Sequence, residues 1–280
     1  MIVSTKWLSN FKSTYALYAV VAYGLFTSVR DFFYLQEIFS CTEGFNMCQK
    51  LPMAEVLTNS YLVHTLFIVK GVLFLTLLSK SLRKVSLAAH IVILMYFFFI
   101  NRVFYTPEMA YLHFLFFCLL FSPEDNNTFF PSYIFKPFET VVYLSYTFSG
   151  YFKMNSIYWM DGTFLNRFLG GNQVVLPWLD GINLNFSILY YLSFIVLSME
   201  LFAFMALFNR YFKVFFWTGL TFMHLAIFVT TDLTEVSFGM LVVHLFLIDE
   251  RIVEFYTLIK RGLFGIGGDH LKAPDQILAN

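Results

Sequence analysis

Residues 184–208 read LNFSILYYLSFIVLSMELFAFMALF, an apolar run broken by one charge, Glu200. A helix that crosses a bilayer needs about 20 such residues. This stretch alone sets the expected fold class, a helix that lives in lipid. Seven further runs of the same kind lie at 12–29, 58–79, 85–101, 106–121, 134–152, 211–231 and 236–249. The runs at 106–121 and 236–249 are short, which suits tilted helices or helices that stop below the surface. The segments 157–170 and 252–265 are amphipathic and read as helices lying at an interface. The expectation is an all-α, polytopic membrane helical bundle of about eight transmembrane helices. One transmembrane domain covers 1–265, and 266–280 is a polar C-terminal tail.

Composition agrees. Hydrophobic residues make up 59% of the 280 residues and charged residues 13%, with a mean hydropathy of +0.68. A soluble domain carries about 25% charge, so this chain lacks the polar side chains to cover a water-facing surface. Aromatics reach 21%, with 38 Phe and 17 Tyr. Tyr and Trp favour the headgroup level of a membrane. A net charge of zero leaves no electrostatic footprint for nucleic acid. The first apolar run, Phe11 to Ser28, is long for a signal peptide, and no small-x-small cleavage site follows it, so it reads as a retained span.

Basic residues in the loops orient the helices. Lys6 and Lys12 precede the first run, and Lys80, Arg83 and Lys84 follow the second. Arg210 and Lys213 follow the sixth, and Arg251, Lys260 and Arg261 follow the eighth. Eight alternating helices with the N-terminus and C-terminus both cytoplasmic put all four groups on one side. The loops 30–57, 102–105, 153–183 and 232–235 then face out. That places Cys41 and Cys48 outside, where a disulfide closing their short loop is the expectation and two unpaired thiols the alternative. Cys118, inside an apolar run, reads as packing.

Charges near the middle of a bilayer cost roughly 2.5–3.5 kcal/mol each on insertion scales, so those present pair with one another or line a cavity. The candidates are His64, Lys70, His90, His113, Glu200, His224 and His244, with Lys153 at the outer end of its span. Lys70 and Lys153 have an ordinary reading as lysines whose stems reach water. A lone neutral histidine in a bundle is most often a satisfied core group, the reading applied to His64, His90, His113 and His244. Glu200 needs a cation or a hydrogen-bond donor, or must stay protonated. The sequence has no HExxH, CxxC, phosphate loop or serine elbow. No metal site is expected, and soluble hydrolase or nucleotide chemistry lacks support.

The most informative segment is Tyr146-Thr-Phe-Ser-Gly150-Tyr-Phe-Lys153-Met-Asn-Ser-Ile-Tyr-Trp159-Met-Asp-Gly162. Tyr146, Gly150 and Lys153 are spaced i, i+4, i+7 and share one helix face. Gly150 lets a neighbour or a flat ligand approach the backbone. Trp159 reads as an interfacial anchor.

This segment resembles the signature of the HTTM superfamily, whose best-known members are the vitamin K-dependent γ-glutamyl carboxylases. That pattern is an aromatic, a small-Gly pair, a Lys followed by an apolar residue, a Trp and then a Gly. The gap from Lys153 to Trp159 is one residue longer than in the carboxylases. Phe222-Met223-His224, followed by Ser237-Phe238-Gly239-Met240-Leu241, is similar to the family's Phe-His segment and later Met-Leu pair. Met199-Glu200-Leu201 with Asn209-Arg210 is a third, weaker likeness.

The resemblance implies that Lys153 is a base acting on a vitamin K-like hydroquinone or other quinone-like cofactor at the outer face. His224 would hydrogen-bond that ligand, and Tyr146, Gly150, Trp159 and Gly162 would surround it. The carboxylases carry an Asn-His pair where this chain has Thr106-Pro107-Glu108-Met109, so Glu108 stands in for the imidazole as the proton-handling group. The long domain that binds carboxylase substrates has no counterpart here. The Tyr15-Ala-Leu-Tyr first span and the two-cysteine loop resemble bacterial HTTM members that mature a sporulation-delaying antimicrobial peptide.

The resemblance therefore implies an inner-membrane protein of bacterial type that acts with membrane lipid and a protein or peptide partner. Carboxylase- or lyase-like chemistry follows if it is catalytic. The competing reading is a non-catalytic membrane subunit for assembly or export of a partner, with its buried charges as structural pairs. A transporter ranks last, since no internal repeat is visible.

Overall fold

The computed structural model describes residues 11–33, 60–100, 107–121, 132–165, 186–230 and 234–264. Within them the chain is all-helical, with no strand. A π-helical turn, Lys12–Ala16, leads into α1, Leu17–Phe33. Then come α2 (Ser60–Thr76), α3 (Arg83–Ile100), α4 (Pro107–Leu120), α5 (Ser132–Met154) and a short α6 (Ile157–Met160). They are followed by α7 (Phe186–Leu201), α8 (Arg210–Thr230), α9 (Thr234–Leu247) and α10 (Glu250–Phe264). The loop carrying Cys41 and Cys48, and the tail at 266–280, fall outside the described residues.

Eight of these helices close a ring in chain order. α1 packs on α2, α2 on α3, α3 on α4, α4 on α5, α5 on α7, α7 on α8, α8 on α9, and α9 returns to α1. α9 also touches α4 and α5, so it runs nearest the middle. The core fills this middle with Tyr23, Phe74, Leu112, Phe138, Tyr143, Leu220 and Phe246.

Local chemistry sets the helix ends. The first helix was expected to stop near residue 29, where charge begins, yet α1 runs on to Phe33. Its terminal charges turn inward and find partners: Arg30 pairs with Asp31 and Glu235, and Asp31 pairs with Lys70. The run 184–208 is not one helix either. α7 ends at Leu201 and a 3₁₀ turn, Ala203–Leu207, follows. The amide of Phe204 donates to Thr147 Oγ1 on α5 at 3.1 Å, replacing an intrahelical partner and holding the turn against α5. Lys84 donates to the carbonyls of Leu119 and Leu120, capping the end of α4. Asp249 caps the start of α10 through the Ile252 amide at 3.1 Å.

Polarity is distributed against the habit of a water-soluble protein. Lys12, Asp31, Lys70, Glu108, Glu200, Lys213, Glu235, His90, His224 and His244 are all buried. Outside, α7 exposes Ile188, Tyr190, Tyr191, Leu192, Phe194 and Ile195. α8, Arg210–Thr230, is the helix among the described residues that is long and apolar enough to cross a membrane, and only 28% of its apolar window is buried. Tyr61–Thr76, Glu108–Leu120, Ser187–Leu201 and Glu235–Leu247 are equally apolar in kind but shorter.

One end of the ring, called proximal here, gathers Lys12, Glu139, Lys213 and Asp249. Lys213 bridges Glu139 and Asp249, both at 2.7 Å. The distal half holds the Arg30–Asp31–Lys70–Glu235 network and the residues singled out in the sequence.

Candidate functional site

The distal site grows from α5. Its inward face presents Tyr146, Ser149, Gly150 and Lys153 toward α7, α8 and α9. A Cβ placed on Gly150 would lie 2.5 Å from the Leu201 amide nitrogen and 2.8 Å from its Cα. The bare glycine therefore lets the α5 and α7 backbones nearly touch. That contact brings Glu200 beneath Lys153. Lys153 Nζ lies 2.5 and 2.6 Å from the two carboxylate oxygens of Glu200, and Ser149 Oγ donates to Oε2 at 3.0 Å. The Glu200 side chain is 4% exposed and that of Lys153 25%. Lys153 also sits over the Trp159 ring at 4.7 Å, and Trp159 stacks on Phe164 at 4.3 Å. The partner that Glu200 requires is thus the lysine of the motif, a pairing the sequence reading did not make.

Lys153 is level with Glu200, about four turns beyond the start of α7 at Phe186. Above it stand α6 and the first turns of α7. Gly162 belongs to this upper layer: its φ is +74°, and its Cα faces the α7 backbone so closely that an added Cβ would be 2.7 Å from Tyr190 Cα. The space over both Gly150 and Gly162 is occupied by α7.

One turn below Gly150, the Tyr146 hydroxyl meets two imidazoles. It lies 2.7 Å from His224 Nε2 on α8 and 2.9 Å from His244 Nε2 on α9. His244 Nδ1 is 2.7 Å from Thr221 Oγ1, and that hydroxyl donates to the Trp217 carbonyl at 2.6 Å. The Trp217 indole donates back to the His244 carbonyl at 3.0 Å, tying α8 to α9. His244 is therefore satisfied at both nitrogens, as a core histidine should be. His224 is not: it is 7% exposed and its Nδ1 is buried without a hydrogen-bond partner among the described residues.

Glu108 enters from the first turn of α4, fully buried. Its Oε1 accepts from Tyr23 at 3.2 Å, and Gly239 on α9 leaves the space its side chain fills. The sequence grouped Lys153, Glu108 and His224. In the fold Lys153 stands about two turns along α5 from Tyr146, Tyr146 contacts His224, and Lys153 itself pairs with Glu200. Glu108 accepts a hydrogen bond from Tyr23 on α1.

Tyr23, Ser149 and His244 are site members that sequence reasoning did not group. Ser149 was visible as the small residue before Gly150. His244 stood out as an ionisable residue in an apolar run and was read as a core histidine, but its partner Tyr146 is 98 residues away, and Tyr23, 85 residues from Glu108, had no signal. Among the described residues, no group of three or more His, Cys, Asp or Glu could hold a metal ion.

Compared with protein-family models, curated proteins and solved structures, the chain matches none.

Proposed function

We propose that the chain is a multi-pass membrane protein of eight spans, HTTM-like, with both termini cytoplasmic in an inner membrane of bacterial type. Its distal half modifies or matures an exported peptide, or acts on a lipophilic quinone-like cofactor. The inverted polarity supports the membrane reading. Lys, Glu and Asp are almost never fully buried in soluble proteins unless paired, and large contiguous apolar surfaces seek lipid or a partner. The chain-order ring of helices suits an alternating bundle, and helices satisfy their own backbone groups in lipid.

One observation carries the chemical part: the bidentate Lys153–Glu200 pair stands about two turns along α5 from Tyr146, whose hydroxyl contacts His224. As an ion pair, Lys153 is an ammonium and cannot accept a proton. Transfer of that proton to Glu200 neutralises both groups and frees the amine. Exclusion of water by a bound ligand favours this transfer, because desolvation penalises both charges. Lys153 then acts as the base, or, while still charged, holds the anion that another base creates.

A second reading has an observation in its favour. Every polar atom of the pair is engaged internally and α7 fills the face over Gly150, as a scaffold subunit would require. Lys153→Ala separates the two. In the catalytic reading it removes modified peptide or altered lipophilic compound from mass spectra of membranes while the protein still accumulates there. Unchanged products sink that reading and leave the scaffold.

A further inference from the structure

The hydrogen-bond geometry around Tyr146 fixes where each proton sits. Thr221 has one hydroxyl proton, and its 2.6 Å contact with the Trp217 carbonyl uses it, because a carbonyl only accepts. The 2.7 Å contact from Thr221 Oγ1 to His244 Nδ1 must then carry the proton on Nδ1. A neutral His244 with Nδ1–H has a bare Nε2, which accepts from the Tyr146 hydroxyl at 2.9 Å. With its proton given away, Tyr146 can only accept from His224 Nε2 at 2.7 Å. His224 is therefore the Nε2–H tautomer. Its other nitrogen, Nδ1, is a lone-pair acceptor, buried and without a partner among the described residues. The wire runs one way, from His224 through Tyr146 to His244, and stops at a backbone carbonyl.

We infer that Nδ1 of His224 is the open end of a proton relay and takes a proton from an O–H or N–H donor on a ligand. Tyr146 relays that proton to His244. The step balances without any further reactant. The ligand's D–H bond breaks as Nδ1 gains a proton. His224 Nε2 gives its proton to the Tyr146 oxygen, and Tyr146 gives its own to His244 Nε2. His224 ends neutral as the opposite tautomer, His244 ends as imidazolium, and the ligand ends as an anion. The Lys153 ammonium, about two turns along α5 from the Tyr146 that contacts His224, would hold that anion. In this division His224 is catalytic, Tyr146 and His244 are relay residues, and Lys153 stabilises charge. The inference rests on the site reading above for the presence of a ligand; the tautomer pattern is independent of it.

The test is nitrogen-15 solid-state NMR of the full chain, labelled at histidine, in phosphatidylethanolamine/phosphatidylglycerol bilayers. The two histidines are identified by their through-space contact with the Tyr146 ring. Opposite neutral tautomers are expected, Nε2–H at His224 and Nδ1–H at His244. Identical tautomers, or a doubly protonated ring at neutral pH, overturn the wire. Tyr146→Phe should give mixed tautomers at His224 while Thr221 keeps the proton on Nδ1 of His244; an unchanged His224 also overturns it. The probes are 4-tert-butylphenol and 4-tert-butylanisole, which differ in the one O–H. The phenol should shift the His224 Nδ1 resonance, and the anisole should not. No shift with the phenol, or equal shifts with both, overturns the ligand-facing role. If the relay survives all this while Lys153→Ala leaves cellular products unchanged, the proposed function fails alone.

Discussion

Two buried polar clusters sit at opposite levels of the same bundle, and they are built on different rules. At the proximal end Lys213 bridges Glu139 and Asp249, and Lys12 stacks over the Phe135 ring at 3.7 Å. Charge is balanced there by four groups from the chain's own helix ends. In the distal half the tight ion pair of Lys153 with Glu200 stands beside a neutral chain of hydroxyl and imidazole groups, and that chain ends on an unfilled acceptor. A buried ion pair with satisfied partners needs nothing from outside. A buried acceptor left empty has a cost in free energy, so its persistence points to something that fills it. The comparison separates the part that holds helices together from the part available for chemistry.

The largest test of this contrast is Lys213→Met. It leaves Glu139 and Asp249, 17% and 27% exposed, facing each other with Lys12 nearby, and a loss of about 3 kcal/mol follows, the low end for breaking a buried charge pair. Thermal unfolding in nanodiscs should show it plainly. A near-neutral result would break the assignment of this cluster to structure.

Lys153→Met should be milder, because the lysine side chain keeps 25% exposure and Glu200 retains Ser149. A loss of about 1–3 kcal/mol is expected, with Lys153→Met/Glu200→Leu recovering most of it as the stranded charge disappears. Stability that returns without activity marks a working pair. Return of both would make the pair a scaffold.

Smallest is Thr221→Val, a near-isosteric change that removes one hydrogen-bond partner of His244 at a cost of about 1 kcal/mol. The unfolding curve should barely move, while the His244 tautomer becomes mixed. A fixed Nδ1–H in that variant would show that something other than Thr221 sets the relay's direction.

Much of the architecture was legible in the chain. Runs such as 58–79 and 134–152 became α2 and α5 within a few residues, because a continuous apolar segment forms a helix wherever its backbone is kept from water. The shared face of Tyr146, Gly150 and Lys153 followed from helical periodicity and appears in α5 as read. The end of α1 did not follow. Charge at Arg30 and Asp31 looked like a boundary, and only Glu235 and Lys70 on other helices turn it into an interior network. The break after Leu201 was equally hidden, since its cause is a hydroxyl on Thr147, 57 residues earlier.

The sequence by itself determined that this protein is helical and that its exterior is apolar, because hydropathy is a local property of each segment. It also marked Lys153, Glu200 and His224 as groups needing an explanation, since an ionisable residue in an apolar run is anomalous on its face. Which group explains which was decided by tertiary structure. Lys153 meets Glu200 across 47 residues, and Tyr146 meets His244 across 98. Such pairings depend on how closely two helices approach and at what relative height. Gly150 sets both for α5 and α7, and no periodicity along the chain encodes that height.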